Sequence, residues 1–284
     1  MSLELCILAS GSAGNASVLR TPAGAMLIDA GIGPRTTAKR LQGTGVSVAD
    51  LAAVCLTHLD SDHFNPNWIA TLVRQNVRVY CAADRRDDVL RAAPTDLADA
   101  FAALLHPFEA EAFEPLPGVR FHPIPLAHDR EGSHGFVIDG FDQRLGFATD
   151  LGRVPTHLLD RLHDLDLLAI ESNYDPAMQE QSDRPWFLKR RITGGRGHLS
   201  NAQALAAVQL VLDRAQATVT RLPDHIVLLH RSRQCNCPDL LRRLFSTDRR
   251  IAPRLTLAEQ HNRSPWLRRR NVAPATGEQL TLAF

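Results

Sequence analysis

The apolar run Leu51-Ala52-Ala53-Val54-Cys55-Leu56 leads directly into Thr57-His58-Leu59-Asp60-Ser61-Asp62-His63. The run reads as a buried strand. Four side chains able to bind a metal, His58, Asp60, Asp62 and His63, then stand within six residues. Imidazole and carboxylate are the groups that hold Zn²⁺, Mn²⁺ or Fe²⁺. A strand that ends in such a cluster delivers its ligands to the crevice beyond its carboxyl end, where open α/β sheets bind. The chain reads as a metal-dependent hydrolase.

The 284 residues suit one large domain or two small ones, and 44% hydrophobic content supplies a core. The net charge of +1 excludes nothing, but its distribution is uneven. Residues 184–270 carry 18 Lys+Arg against 5 Asp+Glu, an excess of +13, and the remainder is net −12. That asymmetry permits a polyanionic partner, and equally a solvated surface in a chain with 30 Arg and 2 Lys. The five cysteines show no framework spacing. Cys6, Cys55 and Cys81 lie in apolar runs as buried thiols, and Cys235-x-Cys237 reads as two incidental thiols rather than a metal or redox pair. No basic leader precedes Leu8, and no run nears the ~18 apolar residues of a membrane span. A cytoplasmic protein without membrane attachment is expected.

Apolar alternation and turn residues predict strands over Leu3–Leu8, a hairpin from Ser17 to Asp29, a strand over Val77–Cys81, and a meander of Val119–Leu126, Gly135–Ile138 and Leu145–Ala148. Leu167–Ile170 and Ile226–Leu229 read as further buried strands. Helices are predicted over Thr36–Leu41, Asn67–Gln75, the 84–105 stretch divided at Pro94, and Pro238–Leu244. Ser200-Asn201-Ala202-Gln203 is a capping box that starts a helix to about Leu212. One domain of two sheets covered by helices is the economical architecture. It is expected to span 1–262, with a Pro/Arg-rich tail over 263–284.

Other strands also end in candidate ligands: Ile124-Pro125-Leu126-Ala127-His128, Phe147-Ala148-Thr149-Asp150 and Ile226-Val227-Leu228-Leu229-His230. The order His58-x-Asp60-x-Asp62-His63, His128, Asp150, His230 resembles the metallo-β-lactamase superfamily, from Leu5 to about Leu244. The resemblance implies an α/β fold, a four-layer αββα sandwich with a two-metal site on one edge. Carried over, His58, Asp60 and His128 would hold the first metal, and Asp62, His63 and His230 the second, with Asp150 bridging. Asp29, in Leu27-Ile28-Asp29-Ala30-Gly31, would support the metal loop from behind. The family has His where this chain has Asp60. A carboxylate makes that site harder and more anionic, which turns preference from Zn²⁺ toward Mn²⁺, Fe²⁺ or Mg²⁺, and its shorter reach could leave the site weak. One or two divalent ions, Zn, Mn or Fe, are the expected cofactors.

The segments Leu8 to Asn15, Gly197-His198-Leu199-Ser200-Asn201 and Leu229 to Asn236 resemble the WalJ/YycJ branch, which is linked to DNA exonuclease activity. More loosely, Gly197–Asn201 and Ala169-Ile170-Glu171-Ser172-Asn173 resemble the His and Glu segments of tRNase Z-type phosphodiesterases. The resemblance implies phosphodiester hydrolysis, with His198 assisting the leaving alcohol, Glu171 orienting it, and Asp62 counted as catalytic as well as ligating. His198 precedes a helix N-terminus, which favours a phosphate. Ser10, Ser12 and Asn15 either line the mouth or only make the turn. The substrate is expected to be a phosphodiester, DNA or RNA, met by Arg184, Lys189, Arg190, Arg191, Arg196, Arg231 and Arg233. Trp186 and Phe187 could stack on bases, with at least one expected in the core. Two other readings stay open: a hydrolase of a small ester, lactone or cyclic phosphate, and a catalytically degenerate metal-binding protein with Asp60 as the lesion.

Overall fold

A computed structural model describes residues 2–270. Two seven-stranded sheets form its centre. The first contains β1 (Glu4–Ala9), β2 (Ala16–Thr21), β3 (Gly24–Ile28), β4 (Leu51–Cys55), β5 (Arg78–Ala82) and β6 (Leu105–Phe108), in that order across the sheet. The second runs in space from β7 (Phe113–Leu116) through β8 (Val119–Leu126), β9 (Ser133–Gly140), β10 (Gln143–Ala148), β11 (Leu167–Glu171) and β12 (His225–Leu229) to β13 (Leu255–Leu257). A last strand, β14 (Leu267–Arg268), returns to pair antiparallel with β1.

The side-chain period of two explains the layers. Leu5 and Ile7, Met26 and Ile28, Leu167 and Ala169, and Val227 and Leu229 point between the sheets and form one shared core. Their neighbours point outward. Cys6, Leu8, Leu27, Val54 and Val79 pack under α1 (Pro34–Leu41), α2 (Ile69–Gln75) and α4 (Ala98–Ala102), through Leu41, Leu72 and Phe101. On the other side Val137, Leu168, Ile170 and Leu228 pack under α5 (Thr156–Arg161), α8 (Asn201–Ala217) and α9 (Pro238–Phe245), through Leu158, Val208, Leu212, Leu241 and Phe245. Strands buried on both faces need continuous apolar runs, and these have them. The result is the four-layer αββα sandwich.

Three further α-helices occur among the described residues: α3 (Arg86–Arg91), α6 (Pro176–Gln181) and α7 (Trp186–Thr193). The helix-prone stretch 84–105 is split near Pro94 as expected, but its end, Leu105–Phe108, is a strand. Within the expected tail, Ser264 and Leu267 are buried, and Ser264 Oγ accepts a hydrogen bond from Ile7 N. The remaining part of the expected tail lies outside the described residues.

Parallel pairing sets where the chemistry falls. β3, β4 and β5 run parallel, with Ile28 opposite Cys55 and Cys55 opposite Tyr80. β10, β11 and β12 also run parallel, with Ala148 opposite Ile170 and Glu171 opposite Leu229. Asp29 and the Thr57–His63 loop therefore leave one sheet at a common end. Asp150, Glu171 and His230 leave the other sheet together.

Candidate metal centre

The loops at these strand ends converge. His58, Asp60 and His128 place donor atoms within 4.8 Å of one another, as do Asp62, His63 and His230. Asp150 joins His58 and His63 in a third such group, and Glu171, His198 and His230 in a fourth. Every metal-ligating and catalytic candidate read from the sequence lies in this one cluster.

Backbone strain marks the site. Asp29 (φ 61°), Asp150 (φ 51°) and His230 (φ 50°) adopt the left-handed conformation just beyond β3, β10 and β12. Each costs roughly 1–3 kcal/mol for a residue other than glycine. Surrounding bonds hold them there. His230 N donates to Ser10 Oγ at 2.7 Å, and the carbonyl of Asp150 accepts from Ser133 Oγ at 2.6 Å.

The four imidazoles are arranged alike. His63 Nδ1 faces Asp29 Oδ2 at 2.7 Å, His128 Nδ1 faces the Gly197 carbonyl at 2.9 Å, and His58 Nδ1 faces Thr57 Oγ1 at 3.0 Å. His230 Nδ1 lies 3.0 Å from Asp150 Oδ1 and 3.1 Å from Glu171 Oε1. With Nδ1 engaged, Nε2 of His58 and His230 is left for a cation, whereas His63 Nε2 faces Asp150 Oδ2 at 3.0 Å and Asn15 Nδ2 at 2.8 Å. The Nε2 atoms of His58 and His230 are buried without a hydrogen-bond partner among the described residues. Orphaned buried nitrogens facing carboxylates are what a cation site requires, so the donor set fits one or two divalent ions.

The charges agree. Burial and the adjacent His63 hold His58 down at about 3, so it is a neutral imidazole. Burial alone would lower His128, but the Asp60 carboxylate, 3.7 Å from Nε2, and Asp150 carry it up to about 9. His63 and His230 are likewise held above the ordinary imidazole range, against burial, by Asp29 and Asp150 and by Asp150 respectively. Protons thus balance the buried carboxylates where a cation otherwise would. The raised pKa of His128 stabilises the metal-free fold below the unfolded value of about 6.5, a contribution lost as pH rises through about 9. Metal affinity moves the other way and rises across that window.

Supporting residues that the sequence reading underrated hold the metal loop. Thr57 donates its N–H and hydroxyl to Asp29 at 2.8 and 3.0 Å. Asn15, read only as a turn or mouth residue, brings Nδ2 to 2.8 Å from His63 Nε2, and its N–H donates to the Asp62 carbonyl at 2.6 Å. Gly31 explains why no side chain is tolerated beside them: a Cβ there would fall 1.7 Å from that carbonyl oxygen. Gly31→Ala is expected to push the Asp62–His63 loop away and weaken metal binding by on the order of 10–100-fold. Metal titration against a chromogenic chelator checks this, and an unchanged affinity would refute the clamp.

The second chemical element is a buried acid beside a mostly covered imidazole. Glu171 is fully buried, with Oε2 accepting from Leu151 N and Leu199 N at 3.0 and 3.2 Å. Its Oε1 faces His198 Nδ1 at 2.7 Å. Asp150 Oδ1 lies 3.5 Å from the same nitrogen. The capping box at Ser200 is present and starts α8 two residues after His198. Burial would raise Glu171, but His198 and then His230 hold it below the ordinary range, as an anion.

A cleft of about 400 Å³ opens over these groups, and Ser12, Asn173, Arg184, Leu188, Arg191 and Ser232 contribute to its walls. Of the basic residues expected at a phosphate, Arg184 and Arg191 line it. Trp186 and Phe187 are both exposed, which overturns the expectation that one packs in the core. Cys235 and Cys237 form no disulfide and join no metal-binding group among the described residues.

Residues 25–220 match the β-lactamase superfamily domain. The chain belongs to the β-lactamase superfamily. Exodeoxyribonuclease YycJ of Bacillus anthracis is 27% identical over 247 residues, 85% of this chain and 87% of that protein. Exodeoxyribonuclease WalJ of Streptococcus pneumoniae is 26% identical over 243 residues, 84% and 86% of the two chains. The short form of human tRNase Z shares the superfamily fold with a TM-score of 0.60 at 19% identity, over 92% of this chain and 98% of that one. No helix among the described residues is long and apolar enough to cross a membrane.

Proposed function

We propose that the chain is a metal-dependent phosphodiesterase that hydrolyses DNA. His58, Asp60 and His128 would hold one divalent ion and Asp62, His63 and His230 a second, with Asp150 beside His58 and His63 as a further donor. When bound, these ions supply Lewis acidity and a water acidified to near neutral pH. The rest is the work of side chains. Glu171, fixed by two backbone N–H groups, accepts a hydrogen bond from His198 Nδ1–H. That leaves His198 Nε2 to exchange a proton with the leaving oxygen. Arg184 and Arg191 in the wall favour an anionic substrate. The single observation behind this reading is the His198–Glu171 pair set against the donor cluster: a site that only stored a metal would not need it. The names of YycJ and WalJ favour DNA, and five unpaired thiols suit a reducing, cytoplasmic setting.

The test is hydrolysis by the metal-loaded protein. Turnover of bis-p-nitrophenyl phosphate and release of nucleotides from end-labelled DNA are expected. Activity on small diesters alone would leave a small-molecule hydrolase, and metal binding without turnover would leave a degenerate protein.

A ligand role for Asp60 is supported by its Oδ2, which lies 3.9 Å from His58 Nε2 and 3.7 Å from His128 Nε2. It is also the most exposed of the donors, which suits a hard, partly hydrated ion such as Mn²⁺. Asp60→His is expected to raise the preference for Zn²⁺ over Mn²⁺ on the order of ten-fold. Elemental analysis after competitive loading measures it, and an unaltered ratio would mean that Asp60 does not coordinate.

A further inference from the structure

Helix α7 leaves two adjacent aromatic side chains in water, Trp186 at 71% and Phe187 at 69% exposure. A pair of large exposed aromatics marks an interaction surface more often than chance. Their position narrows what it binds. The same helix presents Leu188, Arg191 and Ile192 to the cleft. On helical spacing, Phe187 shares a flank with Arg191, one turn on, and Arg191 lines the cleft. Trp186 lies farther out on the crest beside Arg190, whose guanidinium sits over its ring at 5.1 Å.

The charge is one-sided. Positions 184–196 hold five basic residues and no acidic one. Arg184, in the cleft wall, donates to the neutral oxygens of Gln234, Gln179 and Ser232 at 3.0, 3.0 and 3.3 Å, so its side chain is fixed without being neutralised. Among the described residues, Lys189 reaches only the Glu180 carbonyl, and of these five cations Arg191 alone pairs with a carboxylate, that of Asp129. Aromatic faces interleaved with unneutralised cations, continuous with a phosphodiesterase cleft, match a polymer in which bases alternate with phosphates.

We propose that α7 is a stacking platform for unpaired bases of a single DNA strand whose scissile phosphate lies in the cleft. The proposal rests on the nuclease reading above and names its substrate. One base stacks on Phe187 and the next on Trp186, while Arg184, Lys189 and Arg190 meet the phosphates. Paired bases have no free face to offer, so the platform selects single strands and frayed ends over blunt duplex.

The test compares the full-length, metal-loaded protein with W186A/F187A and W186F/F187Y. For each, kcat/KM on an end-labelled single-stranded oligodeoxynucleotide is divided by kcat/KM on bis-p-nitrophenyl phosphate. The alanine pair is expected to lower that ratio about ten-fold or more, chiefly through KM, and the aromatic pair to restore it. A matched RNA strand should show a similar fall, because stacking does not read the sugar. An unchanged ratio in a protein that cleaves DNA would overturn the platform and leave the nuclease reading standing. So would a loss equal on duplex and single strand, or a defect found only in self-association or in binding to anionic vesicles. A parent protein that turns over the small diester and no nucleic acid would overturn both.

Discussion

His198→Ala should lower turnover of DNA by on the order of 10²–10⁴-fold, the usual worth of a positioned general acid. The fall should be confined to poor leaving groups. A DNA alkoxide has to be protonated as it departs, whereas p-nitrophenolate does not, so bis-p-nitrophenyl phosphate should be cleaved at a rate much nearer the parent's. Metal content should hold, because the other donors do not depend on this imidazole. Glu171 would keep three of its contacts, to Leu151 N, Leu199 N and His230 Nδ1, so its buried charge would not be stranded. Rates on the two substrates, with elemental analysis, decide the matter. Equal loss on both would assign His198 to the metal site rather than to proton transfer.

The donor cluster was legible in the sequence because each donor follows a strand of recognisable apolar character. Leu51–Leu56 before His58 and Ile226–Leu229 before His230 announce both the strand and the end at which its loop opens. The sheets could be read for the same reason, since strands buried on both faces cannot be polar. What escaped has a common cause. Asn15 and Gly31 act through backbone contacts to Asp62 across the sheet edge, and nothing local distinguishes them from ordinary turn residues. The left-handed conformations of Asp29, Asp150 and His230 depend on the loops packed around them. Leu105–Phe108 sits at the end of a helix-prone stretch, and its pairing with β5 outweighs local propensity. Trp186 and Phe187 follow Pro185 in an Arg-rich segment whose composition fits either core or surface, and only the position of α7 decides between them.

Asp150 is the residue whose loss should cost most. Its Oδ2 lies 3.0 Å from His63 Nε2, and its Oδ1 lies 3.0 Å from His230 Nδ1, 3.5 Å from His198 Nδ1 and 4.0 Å from His128 Nε2. It is buried, and burial alone would raise its pKa; His230 and His63 outweigh that and hold it well below the ordinary carboxylate range. Asp150→Asn keeps the shape, and asparagine tolerates the left-handed backbone, so the change isolates the charge. If the cluster holds divalent ions as proposed, the variant is expected to lose at least one of them and on the order of 10³-fold or more in kcat/KM, the several kcal/mol that metal assistance supplies. The metal-free fold should also weaken, by roughly 3 kcal/mol at neutral pH, because imidazolium groups would lose a buried partner. A depressed carboxylate pKa stabilises the fold above its unfolded value of about 3.9 and ceases to do so as pH falls through the folded value. Denaturation of the chelator-treated proteins should therefore separate parent from variant most near neutrality and bring them together in acid. A variant that kept both ions and its activity would show that the centre does not depend on this carboxylate.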